Sequence, residues 1–265
     1  MASSGDFQPS VALDVVRLKH GKIVHAQQAI ATEVPFTIIA NDTEIVTLLA
    51  TPLDLKELSC GYLFTSGFIK DADDIVSYRC DTNRWVADVT LKKEVNPELM
   101  RKRLYTSGCG RGVMYASVGE ISARQPLESD LSISREQIGE MSAWLQQCSA
   151  LYRETGAVHT AAISTNGAIP QIQCDDIGRH NAVDKVIGAA LLKQFDFAKA
   201  VLICSGRMSS EILHKAKMST AAIVISRGAP THQTILRARD TGVTVIGFAR
   251  GGGFTIYSHK ERIVL

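Results

Sequence analysis

One cysteine of the chain, Cys109, stands between glycines in the heptapeptide TSGCGRG (106–112). Glycines let a loop adopt positive φ angles and let another molecule approach the backbone closely, and they provide no side chains that would bury a thiol. The thiolate is the reactive form of cysteine, and nearby positive charge lowers the pKa of a thiol. Arg111 and the basic run at 101–103 are close in sequence. We predict that Cys109 is an accessible thiol that carries a group between partners. The alternative is an incidental cysteine in a flexible linker.

A second group of candidate residues follows three apolar runs in the second half of the chain. The segments are CSGRMSSE (204–211), SRGAPTHQ (226–233) and FARGGGF (248–254), and each contains glycine and one arginine. Backbone amides combined with guanidinium groups suit a phosphate or pyrophosphate. Strand-to-helix turns are glycine-rich in any case, and a single arginine there is usually solvated. Because three such segments occur together, we predict a site for an anionic, nucleotide-like ligand.

A third candidate is DDIGRHNAVDK (175–185), in which seven of eleven side chains are charged, imidazole or amide groups. Their density favours a site that includes His180. Two structural alternatives remain open: the Asp and Asn residues cap the following helix, or the charged residues form its solvated face.

The sequence lacks the motifs that zinc-dependent deaminases use. Zinc deaminases need H-x-E and P-C-x-x-C to bind the metal and move protons. The nearest segment, VHTAAI (158–163), has Ala161 in place of the glutamate, and no C-x-x-C follows it. No two of the six cysteines are close in sequence, so the usual spacing of zinc ligands is absent. We predict no zinc and no other metal site.

The elements that must position these residues differ between the two halves of the chain. Two apolar strands meeting at Asn41-Asp42, a helix after Pro52 and two further strands predict a small N-terminal α+β domain (11–125) after a disordered tail (1–10). A short helix is predicted over 97–105. From 126 to 265, short apolar runs alternate with helical patterns. That alternation predicts an α/β domain with a mainly parallel or mixed sheet and helices on both faces.

Overall composition excludes several classes of protein. The 265 residues are 45% hydrophobic and carry a formal net charge of +2. This balance argues against general nucleic-acid or membrane binding. The N-terminus has no basic segment followed by an apolar stretch, so no secretory signal is visible, and we expect a cytoplasmic protein with free thiols.

Taken together, the motifs resemble those of the FdhD family. The matching stretches are EVPFTIIAND, TPLDLKELSCGYLFTSGFI, DDIGRHNAVDKVIG, SGRMSSEILHKA and GFARGGGFTIYS, in family order over most of the chain. The resemblance implies a cytidine-deaminase-like three-layer fold in the second half. It also implies a sulfur carrier, in which a cysteine desulfurase loads a persulfide onto Cys109. The sulfur then passes to the molybdenum of a bis(molybdopterin guanine dinucleotide) cofactor for formate dehydrogenase.

The resemblance and the arginine-bearing segments together define the expected cofactor-binding residues, with GDP or GMP as a mimic of the ligand. These are Gly206, Arg207, His180, Phe248, Ala249, Arg250, Gly251, Gly252 and Gly253. A homodimer is a further implication of the resemblance. One position departs from the family pattern C-x-x-C, because Gly112 stands where a second cysteine is expected. Cys60 or Cys204 is a candidate to replace it in space.

Three functions remain in competition at this point. The first is the sulfur carrier. The second is a binding protein, or chaperone, that delivers the cofactor without transferring sulfur. The third is a nucleotide-processing enzyme with a deaminase-like fold.

Overall fold

The structure is a computed structural model that describes residues 8–96 and 125–265, together with two short strands between them. These strands, β7 (Arg103–Tyr105) and β8 (Val113–Tyr115), pair antiparallel. The predicted helix over 97–105 is therefore wrong at its last three residues, where cross-strand hydrogen bonds replace helical ones. Cys109 and Gly112 lie outside the described residues.

The chain begins with an antiparallel hairpin that the sequence patterns had not revealed. Strands β1 (Ser10–Lys19) and β2 (Lys22–Ala31) are joined at His20 and Gly21, which both have positive φ angles. Residues 1–7 of the predicted tail lie outside the described part, and Ser10 already belongs to β1.

A four-stranded sheet follows, in the order β4-β3-β6-β5. Its strands are β3 (Val34–Ala40), β4 (Thr43–Ala50), β5 (Ile75–Asp81) and β6 (Val86–Leu91). The predicted hairpin at Asn41-Asp42 is confirmed, and both residues have the positive φ angles of a tight two-residue turn. Helix α1 (Leu55–Thr65) connects β4 to the second half of this sheet.

The second half of the chain forms a six-stranded mixed sheet in the order β11-β10-β12-β13-β14-β15. The strands are β10 (His159–Thr165), β11 (Ile172–Asp176), β12 (Ala200–Cys204), β13 (Ile223–Ser226), β14 (Thr244–Arg250) and β15 (Gly253–Ile256). Only β12, β13 and β14 are parallel, and antiparallel strands flank them on both sides. Of the two predicted forms, mainly parallel or mixed, the sheet is the mixed one, because β10 and β11 form a hairpin and β15 returns antiparallel to β14.

Five helices accompany this sheet: α2 (Arg135–Cys148), α3 (Ala150–Thr155), α4 (Arg179–Leu192), α5 (Ser210–Met218) and α6 (His232–Thr241). A capping box of Ser134 and Gln137 starts α2. Ser149 separates α2 from α3, and its side chain caps α3. Beside α2, β9 (Ile133–Ser134) pairs with β16 (Ile263–Val264) near the C-terminus.

Alternate residues of the central strands enter two separate hydrophobic cores, as expected for a sheet that is covered on both faces. Leu202 and Val224 belong to a core that also includes residues of α1, α4, α5 and the four-stranded sheet. Ile203 and Ile225 belong to the other core, with residues of α2. The mixed α/β architecture is therefore established, and its first core has members from both halves of the chain.

Helices α1 and α4 approach each other at two glycines. A Cβ atom on Gly61 would lie 1.8 Å from the Asp184 carbonyl oxygen, and one on Gly188 would lie 2.0 Å from the Glu57 carbonyl oxygen. Only glycine permits such an approach of two helix backbones. This contact holds α4, and the loop before it, against the N-terminal half of the chain. Within the described residues, no helix is long and apolar enough to cross a membrane.

Candidate functional site

The candidate site is a cavity at the carboxyl ends of the parallel strands. Strands β12, β13 and β14 end at Cys204, Ser226 and Arg250. A cavity of about 460 Å³ opens there, and its lining includes Tyr152, His159, Ser205, Arg227, Gly228 and Arg250. Ligands of open α/β sheets bind at this edge, so the fold places the cavity where a ligand is expected.

Hydrogen bonds join the three arginine-bearing segments to one another. The Arg227 amide donates to the Cys204 carbonyl (3.1 Å), and the Phe248 amide donates to the Gly228 carbonyl (3.1 Å). The Ser226 hydroxyl donates to the Gly206 carbonyl at 2.5 Å. The structure therefore brings together three segments whose bonded residues lie 20 to 23 positions apart in sequence, as predicted from their common position after strands.

Close packing explains one glycine of the second segment. A Cβ atom on Gly228 would lie 3.0 Å from the Cα and amide nitrogen of Arg207. A side chain at 228 would therefore push the first two segments apart. Because Gly228 also lines the cavity, its lack of a side chain leaves the backbone accessible to a ligand.

The predicted stretch Phe248–Gly253 is divided between the cavity and the end of the sheet. Arg250 lines the cavity, and its guanidinium lies 5.8 Å from the centre of the exposed Phe248 ring. Ala249 is buried, and its carbonyl accepts a hydrogen bond from the Ser142 hydroxyl of α2. Gly251 and Gly252 have φ angles of 60° and 80° and form the turn between β14 and β15. These two glycines are thus required by the turn itself.

Of the other predicted binding residues, Gly206, Arg207 and His180 lie near the cavity but do not line it. Gly206 is buried against the Arg179 side chain, whereas Arg207 is exposed. His180 Nε2 lies 3.1 Å from the Ser209 hydroxyl and 3.4 Å from the Glu211 carboxylate. Burial, with added repulsion from Arg179, lowers the pKa of His180 to about 3. His180 is therefore a neutral, half-buried side chain that contacts the start of α5.

Most of the polar residues of segment 175–185 serve the interior of the protein. The buried Asp176 carboxylate accepts hydrogen bonds from the Gly178 amide (2.7 Å) and the Asn181 side chain (3.0 Å). The buried Asp184 carboxylate lies 2.9 Å from Lys215 Nζ. The density of polar groups in this segment thus reflects buried ion pairs and a helix start more than a ligand site.

Asp175, by contrast, organises one wall of the cavity. Its carboxylate accepts hydrogen bonds from the Thr160 hydroxyl (2.6 Å) and from the Ser149 hydroxyl (2.7 Å). Ser149 also caps α3, where its hydroxyl accepts from the Tyr152 amide. Asp175 therefore fixes the start of β10 and the break between α2 and α3 relative to each other.

His159 is the cavity residue that the sequence reasoning overlooked as a binding group. Its Nδ1 lies 3.2 Å from the Ser205 hydroxyl, which also accepts a hydrogen bond from the Thr160 amide (3.0 Å). The motif VHTAAI had drawn attention to His159, but only as a possible metal ligand. Among the residues of 8–96 and 125–265, no cluster of three or more His, Cys, Asp and Glu side chains has the arrangement of a metal site.

The described cysteines are all free thiols in protected surroundings. Cys60, Cys174 and Cys204 are buried, and Cys80 and Cys148 are half-buried. Burial raises the pKa of Cys60, Cys148 and Cys204 to about 11 in each case, and it also raises that of Cys80 and Cys174. Cys60 and Cys204, considered above as replacements for a second family cysteine, are therefore both inaccessible and mostly protonated at neutral pH.

Comparison with known proteins identifies the family. A sequence model of the FdhD/NarQ family matches residues 31–264, which include the arginine-bearing segments, segment 175–185 and the Cys109 loop. The chain belongs to the FdhD/NarQ family.

The relatives of this FdhD/NarQ chain have names that state a role for those proteins. The "Sulfur carrier protein FdhD" of Staphylococcus aureus strain MRSA252 is 36% identical over 257 residues, which cover 96% of this chain and 97% of the relative. The protein of the same name from strain Newman has the same identity and coverage. A crystal structure of a protein assigned as a formate dehydrogenase accessory protein, from Desulfotalea psychrophila, superimposes with a TM-score of 0.78. It is 25% identical to this chain and covers 97% of it, and the match spans 100% of that structure. The resemblance inferred from motifs is thereby confirmed.

Proposed function

We propose that this FdhD/NarQ chain is a sulfur carrier that accepts a persulfide sulfur on Cys109. In the loading step, the Cys109 thiolate attacks the terminal sulfur of a persulfide held by a cysteine desulfurase. A new S–S bond forms on Cys109, and the desulfurase cysteine leaves as a thiolate. In delivery, the S–S bond on Cys109 breaks, its electron pair stays with Cys109, and the acceptor supplies the electron pair that bonds the transferred sulfur.

This proposal rests mainly on the relatives that are named sulfur carrier proteins, because they match nearly the whole chain at 36% identity. The state of the described cysteines supports the choice of Cys109. All five have a raised pKa, whereas a thiol that attacks a persulfide must form a thiolate. Cys109, flanked by glycines and followed by Arg111, has the sequence surroundings that these five thiols lack.

The acceptor that we propose is the molybdenum of a bis(molybdopterin guanine dinucleotide) cofactor, which is the cargo of the protein and not a resident group. The cavity supports this choice, since Arg227, Arg250 and the open backbone at Gly228 suit the pyrophosphate of a dinucleotide. Formate dehydrogenase is the proposed client, in keeping with the accessory-protein assignment of the structural relative. A cytoplasmic location and a homodimer remain parts of this proposal.

Persulfide mapping tests the carrier function directly. The protein is incubated with a cysteine desulfurase and cysteine, alkylated, digested and analysed by mass spectrometry. We expect the added sulfur on Cys109, and we expect Cys109→Ala to remove it and to abolish maturation of formate dehydrogenase. Cys80→Ala, which replaces a half-buried thiol, is the matched control and should keep both. Sulfur found elsewhere, or full maturation with Cys109→Ala, would contradict the proposal.

A chaperone that delivers the cofactor without transferring sulfur is the second candidate. Gly112 favours it, because a second thiol for local exchange is missing from the loop. This candidate predicts that Cys109→Ala keeps full activity while replacement of Arg250 abolishes it. Cys109→Ala therefore separates the two functions, because both need cofactor binding at Arg250 and only the sulfur carrier needs the thiol.

A further inference from the structure

His159 occupies a position in the cavity wall that none of the functions above has used. It is half-buried at the start of β10 and lines the same cavity as Arg227 and Arg250. One edge of the ring contacts Ser205, because Nδ1 lies 3.2 Å from the Ser205 hydroxyl oxygen.

The hydrogen bonds of the Ser205 hydroxyl are the basis for assigning the proton of the His159 ring. Its oxygen accepts a hydrogen bond from the Thr160 amide at 3.0 Å, and the Ser205 amide donates to the Thr160 carbonyl at 2.9 Å. We assign the hydroxyl proton of Ser205 to a hydrogen bond with His159 Nδ1. In a neutral imidazole, one nitrogen accepts and the other donates, so this assignment puts the proton of His159 on Nε2.

Burial favours the neutral form of the ring, and the nearby charge of Arg179 adds to this effect. Burial, and after it the positive charge of Arg179, lowers the pKa of His159, with only partial opposition from Asp176. The ring therefore offers an uncharged N–H donor within the field of Arg179 and beside the two arginines of the cavity. An acceptor placed opposite such a donor is stabilised most when it is negatively charged.

We propose that His159 is a ligand-binding residue whose Nε2–H donates a hydrogen bond to a phosphate oxygen of the nucleotide-like ligand. Ser205 positions the ring by holding Nδ1 as an acceptor. This inference rests on the proposed binding of a guanine dinucleotide and adds a specific contact to it.

Three substitutions separate ligand binding from a merely structural role. In place of His159, Gln puts its amide nitrogen near the position of Nε2, and Asn puts its amide group near that of Nδ1. Phe keeps an aromatic ring but has neither nitrogen. Affinities for GDP and for inorganic pyrophosphate are measured by calorimetry with the full-length chain, and thermal unfolding confirms that each variant is folded. We expect His159→Phe and His159→Asn to weaken both ligands about tenfold, which corresponds to one hydrogen bond to a charged acceptor. His159→Gln should remain within about threefold of wild type, since it retains the donor.

Each other result contradicts the inference in a distinct way. If His159→Asn binds like wild type and His159→Gln does not, the histidine acts only by holding Ser205. A loss confined to GDP, with pyrophosphate unaffected, would assign the contact to the nucleoside instead of the phosphate. If wild-type protein binds GDP and His159→Phe binds it equally well, this inference fails while the proposed function stands. No GDP or pyrophosphate binding by wild type would refute the inference together with the nucleotide part of the proposed function, and persulfide mapping on Cys109 would still test the carrier function separately.

Discussion

Lys185 Nζ lies 2.7 Å from Asp176 Oδ2 in the protein interior, and neither side chain is accessible to solvent. The same two groups bind the backbone of Thr51, whose amide donates to Asp176 and whose carbonyl accepts from Lys185, each at 3.0 Å. Thr51 directly follows β4, and Lys185 belongs to α4. The ion pair thus connects the N-terminal half of the chain to the helix that starts beside the candidate site.

Removal of one partner of this pair should destabilise the protein strongly. Lys185→Met leaves the Asp176 carboxylate buried without its counter-ion, which typically costs about 3–5 kcal/mol. The free energy of unfolding from urea titration measures the effect. Lys199→Met, at the exposed pair Lys199–Asp196, is the matched control and should cost less than about 1 kcal/mol. Equal losses for the two variants would show that the buried pair has no special role.

Replacement of glycine by alanine should have opposite effects at two helical positions, Gly61 in the contact between α1 and α4 and Gly139 in α2. Gly61→Ala places a Cβ atom 1.8 Å from the Asp184 carbonyl oxygen, so the helices must separate. We expect a loss of about 3 kcal/mol or more, or failure to fold. Gly139→Ala, in the exposed part of α2 with no atom within 4 Å of the new Cβ, should instead stabilise by roughly 0.5–1 kcal/mol. Unfolding experiments on both variants test this contrast, which a loosely packed helix pair would not produce.

Replacement of the cavity arginines should weaken nucleotide binding. Arg227→Ala and Arg250→Ala each remove a guanidinium from the cavity wall, and loss of a charge-assisted hydrogen bond lowers affinity about tenfold or more. Calorimetry with GDP measures this effect, which should be greater at low salt because charged contacts are screened. Arg84→Ala, an exposed arginine in the turn between β5 and β6, is the control and should bind like wild type. Unchanged affinity in both cavity variants would place the ligand elsewhere.

Thiol reactivity provides a separate check on Cys109. At pH 8, a thiol with a pKa of about 11 is roughly 0.1% thiolate, so Cys60, Cys148 and Cys204 should react slowly with iodoacetamide in the native protein. We expect one fast-reacting thiol, and we expect Cys109→Ala to remove it. Peptide mapping after a short exposure identifies the modified residue. Rapid native modification of Cys204, which is 2% exposed, would contradict the structure.

Stability should decrease below pH 6.5 because half-buried histidines, among them His180 and His214, resist protonation in the folded chain. Burial lowers the pKa of His180 to about 3 and that of His214 to about 4 in the folded chain. The unfolded chain takes up these protons near pH 6.5, so stability is complete above that pH and is lost as the pH falls toward the folded values. Each histidine contributes a slope of about 1.4 kcal/mol per pH unit between roughly pH 6 and pH 5.

Urea titrations between pH 5 and pH 8 measure this slope. His180→Gln should remove the part of the slope that His180 contributes, about 1.4 kcal/mol per pH unit, whereas His214 and His159, whose pKa values burial also lowers, keep their parts. His20→Gln, in the exposed turn between β1 and β2, is the control and should leave the slope as in wild type. A slope that His180→Gln does not change would show that protonation of this histidine is not coupled to unfolding.

Local sequence patterns were sufficient for many of the elements. The turn at Asn41-Asp42 and the capping box at Ser134 are decided by residues within four positions of each other, so local composition predicts them. The β10–β11 hairpin was missed even though Asn166-Gly167, a dipeptide typical of tight turns, opens the loop between the two strands, and both residues have positive φ angles. Recognition of that dipeptide would also have predicted the antiparallel direction of β10.

The sequence alone determined the family, the arginine-bearing segments and the candidate thiol Cys109, because each is a short motif with a fixed order along the chain. Only the tertiary structure decided which polar residues face a ligand. Asp176 and Lys185 are as polar in sequence as Arg227 and His159, yet the first two are sealed in the interior and the last two line the cavity. Which polar residues are buried depends on long-range contacts, such as the one between Lys185 and Thr51, which lie 134 residues apart. A local sequence pattern cannot reveal such a contact, because its two partners are distant in sequence.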